Sequence, residues 1–145
     1  MTPADLREHV LSAKSATGLS WAGIAEALGR PPAWTVAALF GMHPMPAEVA
    51  TTAGTLLDLP PEVVARLQRQ PYRVAEPDLL TDPTIYRFHE ALTVYGPAIK
   101  ELIHEEFGDG IMSAINFKLD VSRRADPDGD RVVVTFDGKF LDYRW

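Results

Sequence analysis

The chain has 145 residues, no cysteine, 14 Lys and Arg against 20 Asp and Glu, and a formal charge of -6. That length suits one ordinary domain or two small ones that lean on each other, and the lack of cysteine excludes disulfides, thiol nucleophiles and cysteine metal sites. The 46% hydrophobic content is in the globular range, no run approaches the roughly 20 apolar residues of a membrane span, and the acidic balance argues against a general nucleic-acid binder unless a local basic patch overcomes it.

The opening "MTPADLREHVLSAK" is charged from its fifth residue and has no apolar h-region, so no secretory signal and a cytoplasmic location are expected. Five short helices are predicted next, at about Pro3 to Ala16, Trp21 to Leu28, Pro32 to Phe40, Pro46 to Leu57 and Pro61 to Gln70. Gly18, Gly29 and Gly41 stand near helix ends, while Pro31-Pro32, Pro46 and Pro60-Pro61 stand near helix starts. Ile24, Ala25, Leu28, Val36, Ala37 and Leu39 suit the interior of a compact bundle.

Within that bundle "LSWAGIAEALGRPPAWTVAALFG" has the shape of a helix-turn-helix, with two short helices about a glycine-containing turn. A helix that reads DNA needs Arg, Lys, Asn or Gln for base edges and phosphates, and "PPAWTVAALF" offers only Thr35. Residues 1 to 80 hold six Lys plus Arg against eight Asp plus Glu, so no positive field steers this part onto phosphates. "QPYRVAEPDLLTDP", residues 70 to 83, lacks helical periodicity and reads as a linker or extended arm, which divides the chain into a bundle over 1–75 and a second domain over 76–145.

The second domain opens on "TDPTIYRFHEAL", where Thr81, Asp82 and Pro83 supply a cap and a first-turn proline ahead of Ile85, Phe88 and Leu92. A break is predicted at "VYGP", then a second helix from about Pro97 to Phe107, ended by "FGDG". "IMSAINFKLDV" alternates Ile115, Phe117, Leu119 and Val121 with polar residues and reads as a strand; "ADPDGD" is a turn. "RVVVTFDGKFLDYRW" reads as a hairpin turning at Asp137-Gly138. The fold class is thus α+β, a helical bundle followed by a unit of two helices and short strands. Its "VVVTF" run is apolar at adjacent positions, which asks for cover on both sheet faces. So small a unit buries little by itself, and a symmetric dimer joined through these strands is expected; cover by the helical bundle of the same chain is the alternative.

Arg87 and Glu90 are three apart and can touch on a helix, where such a pair is most often a solvated one contributing a few tenths of a kcal/mol. Arg87 could also hold a planar oxyanion with its fork of donors, with Glu90 orienting it or handling a proton. Gly108 and Gly110 allow a sharp turn whose amides, with the Ser113 hydroxyl, could face an anion. No Gly-x-Ser-x-Gly elbow supports a nucleophilic serine. "HEE" at 104 to 106 lacks the second histidine of a zinc helix, and "ADPDGD" lacks the glutamate that closes a calcium loop. His89 and His104 read as packed or hydrogen-bonded side chains.

"DPTIYRFHEALTVYGPAIKELIHEEFGDGIMSAINFKLDV" together with "DRVVVTFDGKFL" closely resembles the cyanate hydratase family, also called cyanase or cyanate lyase. The resemblance covers residues 80 to 145, and the helical part also looks like the family's first domain, a DNA-binding-like bundle that does not bind DNA. It implies bicarbonate-dependent decomposition of cyanate to ammonia and carbon dioxide through carbamate. Carried over by motif, Arg87, Glu90 and Ser113 are the family's catalytic residues. No metal or organic cofactor is implied, bicarbonate being a co-substrate, and neither nucleic acid nor membrane is a partner. The resemblance further implies a homo-oligomer, a decamer of five dimers with sites at subunit interfaces. His89 departs from the tyrosine more usual in that family. The rival readings are a helix-turn-helix DNA-binding regulator with an oligomerisation domain, and a catalytically dead relative of the same fold.

Overall fold

The structure, a computed structural model, describes residues 1–71, 73 and 76–144. Five helices come first: α1 (Pro3–Thr17), α2 (Trp21–Leu28), α3 (Pro32–Leu39), α4 (Ala47–Leu56) and α5 (Pro61–Leu67). Their starts and stops follow the punctuation of the chain. Thr2 and Asp5 form a reciprocal capping box on α1, Ser20 caps α2 by accepting from the Gly23 amide, and Gly18 and Gly29 close these helices in the left-handed conformation. Among the described residues the fifteen buried apolar ones all lie between Leu6 and Leu67, and Leu6, Val10, Ile24, Leu39, Leu57 and Val63 are among the most deeply buried.

The helix-turn-helix shape is present in α2 and α3. Thr35 is fully buried, and its hydroxyl has no hydrogen-bond partner. Arg30 lies over the Trp34 ring and Lys14 over Trp21, so two of the bundle's cations cover aromatic faces. An unpaired buried hydroxyl destabilises by about 1–3 kcal/mol. Thr35→Val is therefore expected to raise the stability of the protein by about 1 kcal/mol, read as a higher midpoint of thermal unfolding; a lower midpoint would mean that the hydroxyl is satisfied.

Of the stretch predicted as a linker, Tyr72, Val74 and Ala75 lie outside the described residues. Arg73 donates through Nε to the Met42 carbonyl at 3.1 Å and through Nη2 to His43 Nδ1 at 3.3 Å. Burial, and after it this guanidinium, holds His43 below the usual histidine range. A single 3-10 turn at Leu79–Thr81 leads into the next helix.

Two expectations about the second domain need correction. Its helices are one: α6 runs unbroken over Pro83–Phe107 with Pro97 inside it. Proline removes one amide donor and crowds the preceding turn, but the apolar stripe Ile85, Phe88, Leu92, Tyr95, Ile99, Leu102 keeps its spacing of three and four straight through Gly96 and Pro97. The strands are also longer and fewer. Strands β1 (Gly110–Arg124) and β2 (Arg131–Asp142) pair as a two-stranded hairpin that turns at "ADPDGD", and Asp137-Gly138 lies inside β2. Asp126 begins the turn by accepting from the Asp128 amide, and Gly129 takes the positive φ that the turn requires. The last residue of the predicted hairpin, Trp145, lies outside the described residues.

By contacts the chain divides into two compact units, Met1–Arg73 with Asp120–Val134, and Val74–Leu119 with Thr135–Trp145. Among the described residues beyond position 75 only Gly110 and Ser113 are buried. The stripe on α6 is exposed, as are Ile115 at 92% and Val132 at 76%. No helix among the described residues is long and apolar enough to cross a membrane.

Candidate active site

Asp82 caps α6 by accepting from the Thr84 and Ile85 amides at 2.9 Å, which fixes the first turn and with it the phase of the residues that follow. One turn on, Arg87 Nη1 donates to Glu90 Oε2 at 2.7 Å. The side chains are 71% and 50% exposed, so this pair contributes about 0.5 kcal/mol at most to stability. With 100° between successive residues, Arg87 and Glu90 project from the side of α6 opposite the apolar stripe. One guanidinium nitrogen is held by the glutamate, which leaves further donors of the fork to receive a planar anion. His89 lies between them in sequence but turns to Tyr86, with ring centroids 5.9 Å apart.

Ser113 is 6% exposed and sits where β1 departs from regular pleating. Its Oγ accepts from the Ile115 amide at 3.1 Å and from the Asn116 amide at 2.9 Å, contacts that a straight strand cannot make. The chain bends there, within a strand of 15 residues that pairs with one of 12. Two consequences follow. The Ile115 and Asn116 amides face the serine and not a ligand, which narrows the expectation that amides near Ser113 serve an anion. The hydroxyl accepts twice, which polarises its O–H and leaves that hydrogen as the group it has to offer. Ser113 is thus built as a donor.

The turn into β1 is held from both sides. Gly108 closes α6 at φ 92° with its amide on the His104 carbonyl, and His104 Nε2 donates to the Gly110 carbonyl at 3.3 Å. The Phe107 and Phe140 rings lie 5.3 Å apart. Met112 and Gly138 line a groove of about 360 Å³ with Ile103 and Phe107. Ile103 and Phe107 lie about 24 and 30 Å beyond Arg87 along the helix. Ser113, next to Met112, therefore stands at the opposite end of α6 from the arginine. Sequence reasoning found Arg87, Glu90 and Ser113; the structure joins the first two and sets the third apart within one chain. Among the described residues no three His, Asp or Glu side chains gather as metal ligands.

The second unit carries an arginine–glutamate pair on one long helix and a buried serine in β1, and it is the family comparisons that place a chain with these features among the lyases. Residues 4–71 match the model of the cyanate hydratase N-terminal domain, and residues 77–145 match that of the cyanate lyase C-terminal domain. The protein named cyanate hydratase from Mycolicibacterium vanbaalenii is 59% identical over 146 residues, covering 100% of this chain and 95% of that one. Its namesake from Thiobacillus denitrificans is 53% identical over 145 residues and 99% of each chain. The crystal structure of cyanase from T. urticae superposes with a TM-score of 0.84 at 36% identity, over 94% of this chain and 96% of that one. The chain belongs to the cyanate hydratase family.

Proposed function

We propose that this protein decomposes cyanate with bicarbonate to ammonia and carbon dioxide, in the cytoplasm. The observation that supports this most is the full-length likeness to proteins named cyanate hydratase, joined to an arginine whose free donors suit a planar anion. Bicarbonate oxygen adds to the cyanate carbon, and the adduct, taking up one proton, loses carbon dioxide to leave carbamate. Carbamate takes up a second proton and divides into ammonia and carbon dioxide. Every bond change is an addition, an elimination or a proton transfer, so the proposal asks for no metal or organic cofactor and treats bicarbonate as a second substrate.

Two anions repel, and they react only where fixed positive charge and donors hold them together away from bulk water. Arg87 supplies the charge, Glu90 holds Arg87 and can move a proton, and Ser113 donates its O–H to the developing dianion. Since Ser113 and Arg87 stand at opposite ends of α6, the proposed site takes its serine from another copy of the chain. The apolar stripe on one side of α6 and the ionic pair on the other both call for cover, which a single two-fold contact does not provide. An assembly larger than a dimer, such as a decamer of five dimers, meets both demands.

Ammonia release from cyanate, measured in buffer freed of carbon dioxide, is expected to depend on added bicarbonate. Turnover indifferent to bicarbonate, or no turnover of cyanate, would overturn this function.

A further inference from the structure

Asp137-Gly138 has the composition of a hairpin turn and lies in the middle of a strand, so its glycine needs another reason. Gly138 is not in the left-handed range where glycine is favoured by conformation. The reason is space. A Cβ at Gly138 would overlap the Ser113 carbonyl oxygen and Met112 Cγ, and would lie 3.1 Å from Met112 Sδ. The thioether can swing aside; the carbonyl is backbone and moves only with the serine. Gly110 has the matching constraint, its Cβ position overlapping the Leu141 carbonyl oxygen and lying 2.5 Å from the Phe140 ring. Gly110 precedes Ser113 by three residues and Leu141 follows Gly138 by three, so both contacts belong to one antiparallel register. At Gly138, β2 thus lies close against the Ser113 carbonyl, while the serine's own hydroxyl gathers the Ile115 and Asn116 amides.

We infer that Gly138 is a positioning residue for Ser113, because a residue without a side chain lets β2 lie against the Ser113 carbonyl and so sets where the serine O–H points. This rests on the proposed reading of Ser113 as the donor to the reacting anions. Alanine at 138 displaces that carbonyl, and a donor moved by a fraction of an ångström stabilises the transition state less while the anions still bind at Arg87.

The test measures kcat and KM for cyanate, and sedimentation, for Gly138→Ala, Ser113→Ala and the double variant, each as the full-length protein. Gly138→Ala is expected to lower kcat by about ten- to a hundredfold with KM changed little. In the Ser113→Ala background the same change should add no further loss, since the two act through one group. Met112→Ala is then combined with Gly138→Ala. It relieves the side-chain overlap, so assembly is retained, and turnover should stay low because the carbonyl overlap remains. Parental kcat in Gly138→Ala beside an inactive Ser113→Ala would overturn the inference alone. So would losses that multiply in the double variant, or recovery of kcat on adding Met112→Ala. A fully active Ser113→Ala would overturn the reading of the serine and the inference with it.

Discussion

Lysine in place of Arg87 is expected to lower cyanate turnover by about a hundredfold or more, although the charge is kept. Lysine can match the charge but not the fork. In the structure one guanidinium nitrogen donates to Glu90 at 2.7 Å, and the arginine side chain is 71% exposed. An ammonium on a flexible stem can satisfy the glutamate or the anion, but it does not present parallel donors to a planar substrate while its orientation is fixed. Glu90→Gln tests the other half of the pair. It should lower kcat less than Arg87→Lys does, since a neutral amide still accepts from the guanidinium. Steady-state assays in both substrates, with sedimentation to show that assembly is retained, would check this. Parental turnover in Arg87→Lys would remove Arg87 from the chemistry.

Glutamate in place of Ile115 is expected to break the assembly and abolish activity together. Ile115 is 92% exposed in the isolated chain, between Ser113 and Phe117 on a strand with little cover. If another copy buries it, a carboxylate there loses its water without gaining a partner, at a cost of several kcal/mol for each contact that the symmetry repeats. Sedimentation should show the parent as one large species and the variant as smaller ones without cyanate turnover. A parent that sediments as an active monomer would contradict both the assembly and a site shared between chains.

The helical bundle could be read from the chain because its signals are local. Caps, first-turn prolines and closing glycines act over three or four residues, and they set α1, α2 and α3 to within a residue of expectation. The second domain was legible in class but not in detail, because two local signals were overruled. Pro97 reads as a helix break, and Asp137-Gly138 reads as a turn. A proline in a helix interior costs about 3 kcal/mol, but six stripe residues, once buried in the proposed assembly, would each contribute about 1.5 kcal/mol or more, enough to favour continuity. The three-four spacing through Tyr95, Ile99 and Leu102 carried that information. Arg87 and Glu90 could be paired from their spacing alone. The separation of Ser113 from them depends on the unbroken helix, and its two accepted amides depend on a bend in β1 that alternating hydrophobicity does not encode.

Among the described residues beyond position 75 almost no side chain is buried, which has a consequence for how the proposed enzyme behaves on dilution. The bundle has an interior of its own, and its folding is set by its sequence. The catalytic half would acquire an interior only from other copies, so by mass action its stability is a function of protein concentration. Below the concentration that sustains the proposed assembly, activity would be lost while the bundle's helices persist, leaving a protein that is inactive without being unfolded throughout.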